Sequence, residues 1–112
     1  MKRTITLLLL FFALLSVSAK VKITRIDPTD WYVGMKDPTL QLMVYGEGIR
    51  DAEVSTDYPH ARIDSLVRPD SPNYLLVYMN LEGAQPGEMR LQFKLNGSKL
   101  TERYVLHARA KA

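Results

Sequence analysis

The chain contains no cysteine, so it has neither a disulfide framework nor a thiolate metal site. Histidine occurs only at His60 and His107, a spacing that gathers no set of metal ligands. Ser and Thr are scattered without a G-x-S-x-G elbow, which removes the plainest signature of a nucleophilic hydrolase. An excess of one charge is missing too. The 15 basic and 12 acidic residues alternate along the chain, and dispersed charge of this kind argues against a nucleic-acid partner. Helical periodicity is absent from the body of the sequence, as are internal repeats and low-complexity stretches. Apart from one short run near the amino terminus, no apolar stretch is long enough to suggest a membrane span. No cofactor is implied.

That run is the first positive feature. Lys2 and Arg3 form a basic head, Ile5 to Leu15 is uncharged and almost wholly apolar, and Ser16-Val17-Ser18-Ala19 ends it with small residues. This is the three-part pattern of a secretory signal peptide, with cleavage expected after Ala19. As a helix, eleven residues rise only about 16 Å, roughly half of a ~30 Å hydrocarbon layer. The segment therefore reads as a cleaved leader rather than an anchor, and the protein as exported, periplasmic or secreted. Removing 19 of 112 residues leaves 93, with 13 basic against 12 acidic side chains. That length suits one small domain. An exported domain without cysteine has to hold together by packing alone.

The body reads as strands. Val21 to Ile26 alternates apolar and polar residues until Asp27-Pro28 stops it, and Leu40 to Tyr45 is closed by Gly46 and Gly48. Weaker runs lie at Ala52 to Thr56 and Arg62 to Arg68. Asn73 to Leu81 is apolar on both faces, with Leu75, Val77, Met79 and Leu81 on one and Tyr74 and Tyr78 on the other. Such a strand is expected to be central and covered on both sides. From Glu88 to Leu95 the period of two is strict, with Met89, Leu91, Phe93 and Leu95 turned one way. Asn96-Gly97 then supplies the positive φ angles of a type I′ turn. Lys99 to His107 returns as the partner strand, with Leu100, Tyr104 and Leu106 inward. Ala84-Gln85-Pro86-Gly87 suggests a type II turn upstream. About seven short strands, turn signals every ten or so residues and no helix predict an antiparallel, immunoglobulin-like β-sandwich over residues 20–109.

Candidate chemistry is sparse. Asp27 with Asp30, and Asp51 with Glu53, could be imagined as glycosidase dyads. All four sit at strand ends, where acidic residues commonly bond to local backbone, so no catalytic residue is assigned. One segment stands apart: Asp27 to Pro38 carries the only Trp, Trp31, followed by Tyr32, Gly34 and Met35. The plainer account is a Trp plugging one end of the sandwich. The alternative is an exposed aromatic platform for a sugar or a protein partner. Trp31, Tyr32 and Met35 are the candidate contact residues.

The string Trp31-Tyr32-Val33-Gly34-Met35-Lys36, followed by Leu40-Gln41-Leu42-Met43-Val44-Tyr45-Gly46, resembles the amino-terminal domain of cyclomaltodextrinase and neopullulanase enzymes. These belong to glycoside hydrolase family 13, and the likeness is strongest to exported starch-degrading enzymes of Bacteroides-type bacteria. Asn73-Tyr74-Leu75, Pro86-Gly87, Phe93-Lys94 and the segment Tyr104 to Arg109 extend the resemblance over residues 21–109. It implies an immunoglobulin-like sandwich that precedes a catalytic (β/α)8 barrel, packs on it and takes part in dimers. The family's catalytic Asp, Glu and Asp lie in the barrel, so none is carried over here. A barrel needs about 250 residues; the resemblance therefore implies a non-catalytic chain, either a fragment or a stand-alone relative. Its partner barrel would be supplied in cis or in trans. Ala110 to Ala112 is read as the start of a linker. The alternative is an independent periplasmic carbohydrate-binding module that takes maltooligosaccharides through Trp31 and Tyr32.

Overall fold

The computed structural model of the chain describes residues 21–109. The expected leader (1–19), Lys20 and the expected linker (110–112) lie outside the described residues. Among the described residues there are eight strands: β1 (Arg25–Asp27), β2 (Trp31–Val33), β3 (Thr39–Tyr45), β4 (Glu53–Ser55), β5 (Arg62–Val67), β6 (Tyr74–Asn80), β7 (Gly87–Leu95) and β8 (Ser98–Ala108). They form two four-stranded sheets, ordered β1-β3-β6-β5 and β2-β8-β7-β4. The predicted sandwich is present.

Its core follows from the period-two pattern. Leu40, Leu42 and Val44 of β3 and Leu75, Val77 and Met79 of β6 point inward from the first sheet. Met89, Leu91 and Phe93 of β7 meet them from the second sheet, with Tyr104 and Leu106 of β8. Alternate residues of one strand leave on opposite sides of the pleat, so a single inner face from each sheet makes one dry layer. Full burial of aliphatic and aromatic side chains of this size stabilises the fold by about 1.5–3 kcal/mol each. No charged or polar residue is buried in that layer. The β7–β8 hairpin turns at Asn96 and Gly97, with φ of 51° and 79°. Both values are positive, as a type I′ turn requires.

Five local expectations are corrected. The first strand is shorter than its pattern and starts at Arg25, although Val21 is buried and its N–H donates to Ser98 Oγ at 3.1 Å. Part of the segment expected as a connection is itself a strand, β2, which raises the count to eight. β2 also runs parallel to β8, so the sandwich is not wholly antiparallel. The tight turn before β7 falls at Leu81–Ala84, where the Ala84 N–H donates to the Leu81 carbonyl at 3.0 Å. Gly83 there has φ of 82°, the value a type II turn demands of its third residue, and Gly87 instead begins β7. Lastly, β6 is central, but the described residues cover it on one face only. Tyr74, Leu76 and Tyr78 remain half-buried on the outer side.

Candidate functional site

Pro28 has no N–H to extend the β1 ladder, and between Asp27 and Trp31 the chain leaves the first sheet for the second. The crossing is pinned from within the core. Tyr104, almost wholly buried, donates its phenol O–H to the Pro28 carbonyl at 2.8 Å. Burial, with a smaller contribution from the Asp30 carboxylate, pushes the Tyr104 phenol well above its ordinary value. The side chain therefore stays a neutral donor. It carries no acid–base function at ordinary pH.

β2 then lies along the end of β8, with Trp31 beside Leu106, Tyr32 beside His107 and Val33 beside Ala108. Alternation turns Trp31 and Val33 toward the core and Tyr32 away from it. Trp31 is half-buried and packed on the core cluster, as the plainer account expects. Tyr32 is 45% exposed, and its ring meets the His107 ring at 5.4 Å with a 42° tilt. His107 Nε2 in turn lies 2.7 Å from Asp30 Oδ2. Sequence reasoning missed that pair, because the two residues are 77 positions apart and only the parallel β2–β8 pairing joins them.

After β2, Gly34 adopts φ of 74° and turns the chain so that Met35 stands 36% exposed. Asp37 closes the segment. Its Oδ1 accepts from the Thr39 hydroxyl at 2.7 Å and from the Thr39 N–H at 3.0 Å. These two bonds hold the Asp37 carboxyl below its ordinary value, the hydroxyl contributing most. A shallow cavity of about 200 Å³ opens between Tyr32, Met35 and Lys36 on one side and Leu81 to Gly83 on the other. The Leu81 N–H bonds to the Pro38 carbonyl at 2.8 Å and fixes the two walls together.

The three sequence-predicted contact residues thus share one end of the sandwich, but their roles divide. Trp31 is a packing residue on its inner side. Tyr32 and Met35 present apolar surface to the outside. The Trp31 and Tyr32 rings meet edge to face, centroids 6.4 Å apart and planes at 61°, which is not a flat strip.

The four carboxylates that could be imagined as dyads each lie beside a basic side chain. Asp27 lies 2.8 Å from Arg25, Asp30 2.7 Å from His107, Asp51 3.4 Å from Arg50 and Glu53 3.5 Å from Arg68. No group of three His, Cys, Asp or Glu among the described residues could hold a metal ion. What this end of the molecule can do is make contact.

A second surface lies on the outer side of the first sheet. Its rows are set by register: Arg25–Tyr45–Tyr74, then Asp27–Met43–Leu76–Val67, then Gln41–Tyr78–Ser65. The signal for it was legible in the doubly apolar run from Asn73 to Leu81, but a cover was expected there. Compared with known families, residues 25–110 of the chain match the family described as "Cyclomaltodextrinase, N-terminal".

Proposed function

The chain belongs to the cyclomaltodextrinase amino-terminal domain family, and from that premise we propose that it serves as the non-catalytic accessory domain of an exported, α-glucan-degrading enzyme of glycoside hydrolase family 13. Its partner is the catalytic barrel, joined in cis or supplied in trans. The observation that carries this reading is the rigid presentation of Tyr32 and Met35. Both are exposed on a segment held by the Tyr104–Pro28 bond, the Asp30–His107 pair and the Asp37–Thr39 cap. Apolar side chains fixed in place before association lose little entropy on docking, which favours their use as anchors.

The alternative, a maltooligosaccharide module working through Trp31 and Tyr32, has less support. A pyranose stacks on the face of an aromatic ring, whereas Trp31 gives much of its surface to the core and its plane stands at 61° to that of Tyr32. A family 13 barrel domain purified without its own amino-terminal domain separates the two readings by calorimetry. We expect it to bind this chain, and Tyr32→Ala to weaken binding about 30-fold, equivalent to the ~2 kcal/mol of an aromatic anchor. Absence of binding to the barrel, together with Tyr32-dependent binding of maltooligosaccharide, would replace the accessory role with the sugar-binding one.

A further inference from the structure

The chain carries three asparagines, Asn73, Asn80 and Asn96, and the fold treats the last one differently. Asn73 Oδ1 accepts the Gly48 N–H at 3.1 Å, and Asn80 Oδ1 accepts the Glu82 N–H at 2.9 Å. Both residues are half-buried, and each precedes a bulky one, Tyr74 or Leu81. Asn96 is exposed and precedes Gly97, which is exposed too. Its side chain makes no hydrogen bond among the described residues. The ladder below that turn is closed against its own charge. Register pairs Leu95 with Ser98 beside the turn and Lys94 with Lys99 next. In a two-residue hairpin the pair beside the turn exchanges hydrogen bonds and the following pair does not, which brings its side chains closer together. Like charges directly opposite each other weaken the ladder there. On the β4 side Glu53 stands opposite Lys94, but its carboxylate lies 3.5 Å from Arg68. Lys94, Asn96, Gly97 and Lys99 line a common hollow of about 390 Å³, which Asp51 and Glu53 also border. The tip of the hairpin is thus wet, charged and the part of it that opens most readily.

We infer that Asn96 is a self-modification site, where the Gly97 backbone nitrogen attacks the Asn96 side-chain amide and converts it to a carboxylate. The nitrogen gives its proton to solvent base and bonds to Cγ, and the amide nitrogen leaves as ammonia. A five-membered cyclic imide results. Water then opens the ring at one of its two carbonyls. Attack at Cγ restores the backbone and leaves aspartate; attack at the main-chain carbonyl leaves isoaspartate, with one methylene more in the backbone. One water is consumed, one ammonia is released, and nothing is oxidised or reduced. Glycine at position 97 leaves the approach clear, since nothing stands within 4 Å of where a Cβ would be. Ring closure also needs rotation about the Asn96 backbone, which the closed turn fixes with φ of 51° and 79° at its two residues. The turn must therefore open first, and repulsion between Lys94 and Lys99 promotes that opening. The same two ammonium groups favour the negative charge that develops at the nitrogen and the carboxylate that remains. The two products differ in effect. Aspartate before glycine suits the same type I′ turn. Isoaspartate lengthens the backbone within the turn, which loosens Ser98 and the 3.1 Å bond it accepts from the N–H of buried Val21.

Peptide mapping by mass spectrometry tests this on the full chain, stored in mildly alkaline buffer and sampled over weeks. Neither a barrel nor a sugar is needed, so the outcome is independent of the accessory role. The expected result is conversion at Asn96 to a mixture of aspartate and isoaspartate, faster as pH rises, with Asn73 and Asn80 intact. Lys99→Glu sets opposite charges across the ladder and should slow conversion about 3-fold. Arg109→Glu, just past the far end of β8, should leave the rate unchanged. Circular dichroism establishes that each variant is folded. The isoaspartate fraction should exchange the Val21 amide faster than fresh protein, whereas Asn96→Asp should match it. A folded chain that keeps Asn96 while the urea-unfolded chain converts it would overturn the inference, because the turn would then be protecting the residue. So would conversion spread over all three asparagines, or a rate that Lys99→Glu leaves unchanged.

Discussion

Replacing Tyr104 with Phe removes one oxygen from the middle of the domain and nothing else. The ring keeps its place, so no cavity opens, and the change isolates the hydrogen bond to the Pro28 carbonyl at 2.8 Å. A net contribution of about 1 kcal/mol is usual for a neutral bond. Stranding a partly buried carbonyl adds to that, for a total of about 1–2 kcal/mol. In a domain of this size each kcal/mol moves the thermal midpoint by about 4–8 °C, and calorimetry should register a fall of roughly 5–15 °C. The loss should be local as well as global. Pro28 stands just before β2, so amide exchange at Tyr32 and Val33 should accelerate more than exchange in β3 or β6. The pH dependence supplies a second check. The phenol is pushed up in the folded state from an ordinary value of 10.0, whereas the unfolded chain ionises near that value. The folded state then binds the extra proton, so stability is fully present below pH 10 and is lost as pH rises beyond it. Tyr104→Phe has no such group, and the gap between the two proteins should narrow above pH 10. A variant as stable as the parent at pH 7, or a gap that widens in alkali, would refute the claim that this bond pins the crossing between sheets.

Other outcomes follow from the same geometry. Trp31→Ala should cost about 2–3 kcal/mol in urea denaturation because the ring packs on the core, while Tyr32→Ala should stay within about 0.5 kcal/mol; equal losses would mean the two rings are not divided as described. Gly46→Ala should cost about 1–3 kcal/mol by the same method, since a Cβ there would overlap the Lys22 carbonyl oxygen and force the backbone apart. Purified protein should release no reducing sugar from starch, pullulan or cyclodextrin, and release abolished by mutating one of its carboxylates would overturn the non-catalytic reading. Exported material should begin at Lys20 on amino-terminal sequencing; a retained Met1 in a membrane fraction would remove the cleaved leader.

Much of the fold was legible because its longer strands carry a full period of two. β3, β6, β7 and β8 each have enough residues for the alternation to declare an inner face, and the burial along them follows it. The Asn96-Gly97 turn was legible for a local reason, as two successive residues must take positive φ. β1 and β2 were blurred because three residues are too few to show a period. Pro86-Gly87 resembled a turn, yet the backbone turned at Glu82-Gly83, where Gly83 also offered freedom of φ. The candidate contact residues were found as a cluster of residue types, and their division into packing and presenting roles was not visible. That division depends on which side of β2 faces the core.

The sequence by itself determined that this chain is a cysteine-free all-β domain with one strongly patterned hairpin and the family segment from Trp31 to Gly46. These properties reside in neighbouring residues, through alternation and turn chemistry, and need no knowledge of distant partners. Tertiary structure alone decided that β2 would pair in parallel with β8, bringing Asp30 to His107 and Tyr104 to Pro28 across more than seventy residues. It also decided that the second apolar face of β6 would remain uncovered by the described residues. The physical reason is the same in both cases. A side chain's type says how it fares in water, but only the folded chain fixes what stands across from it.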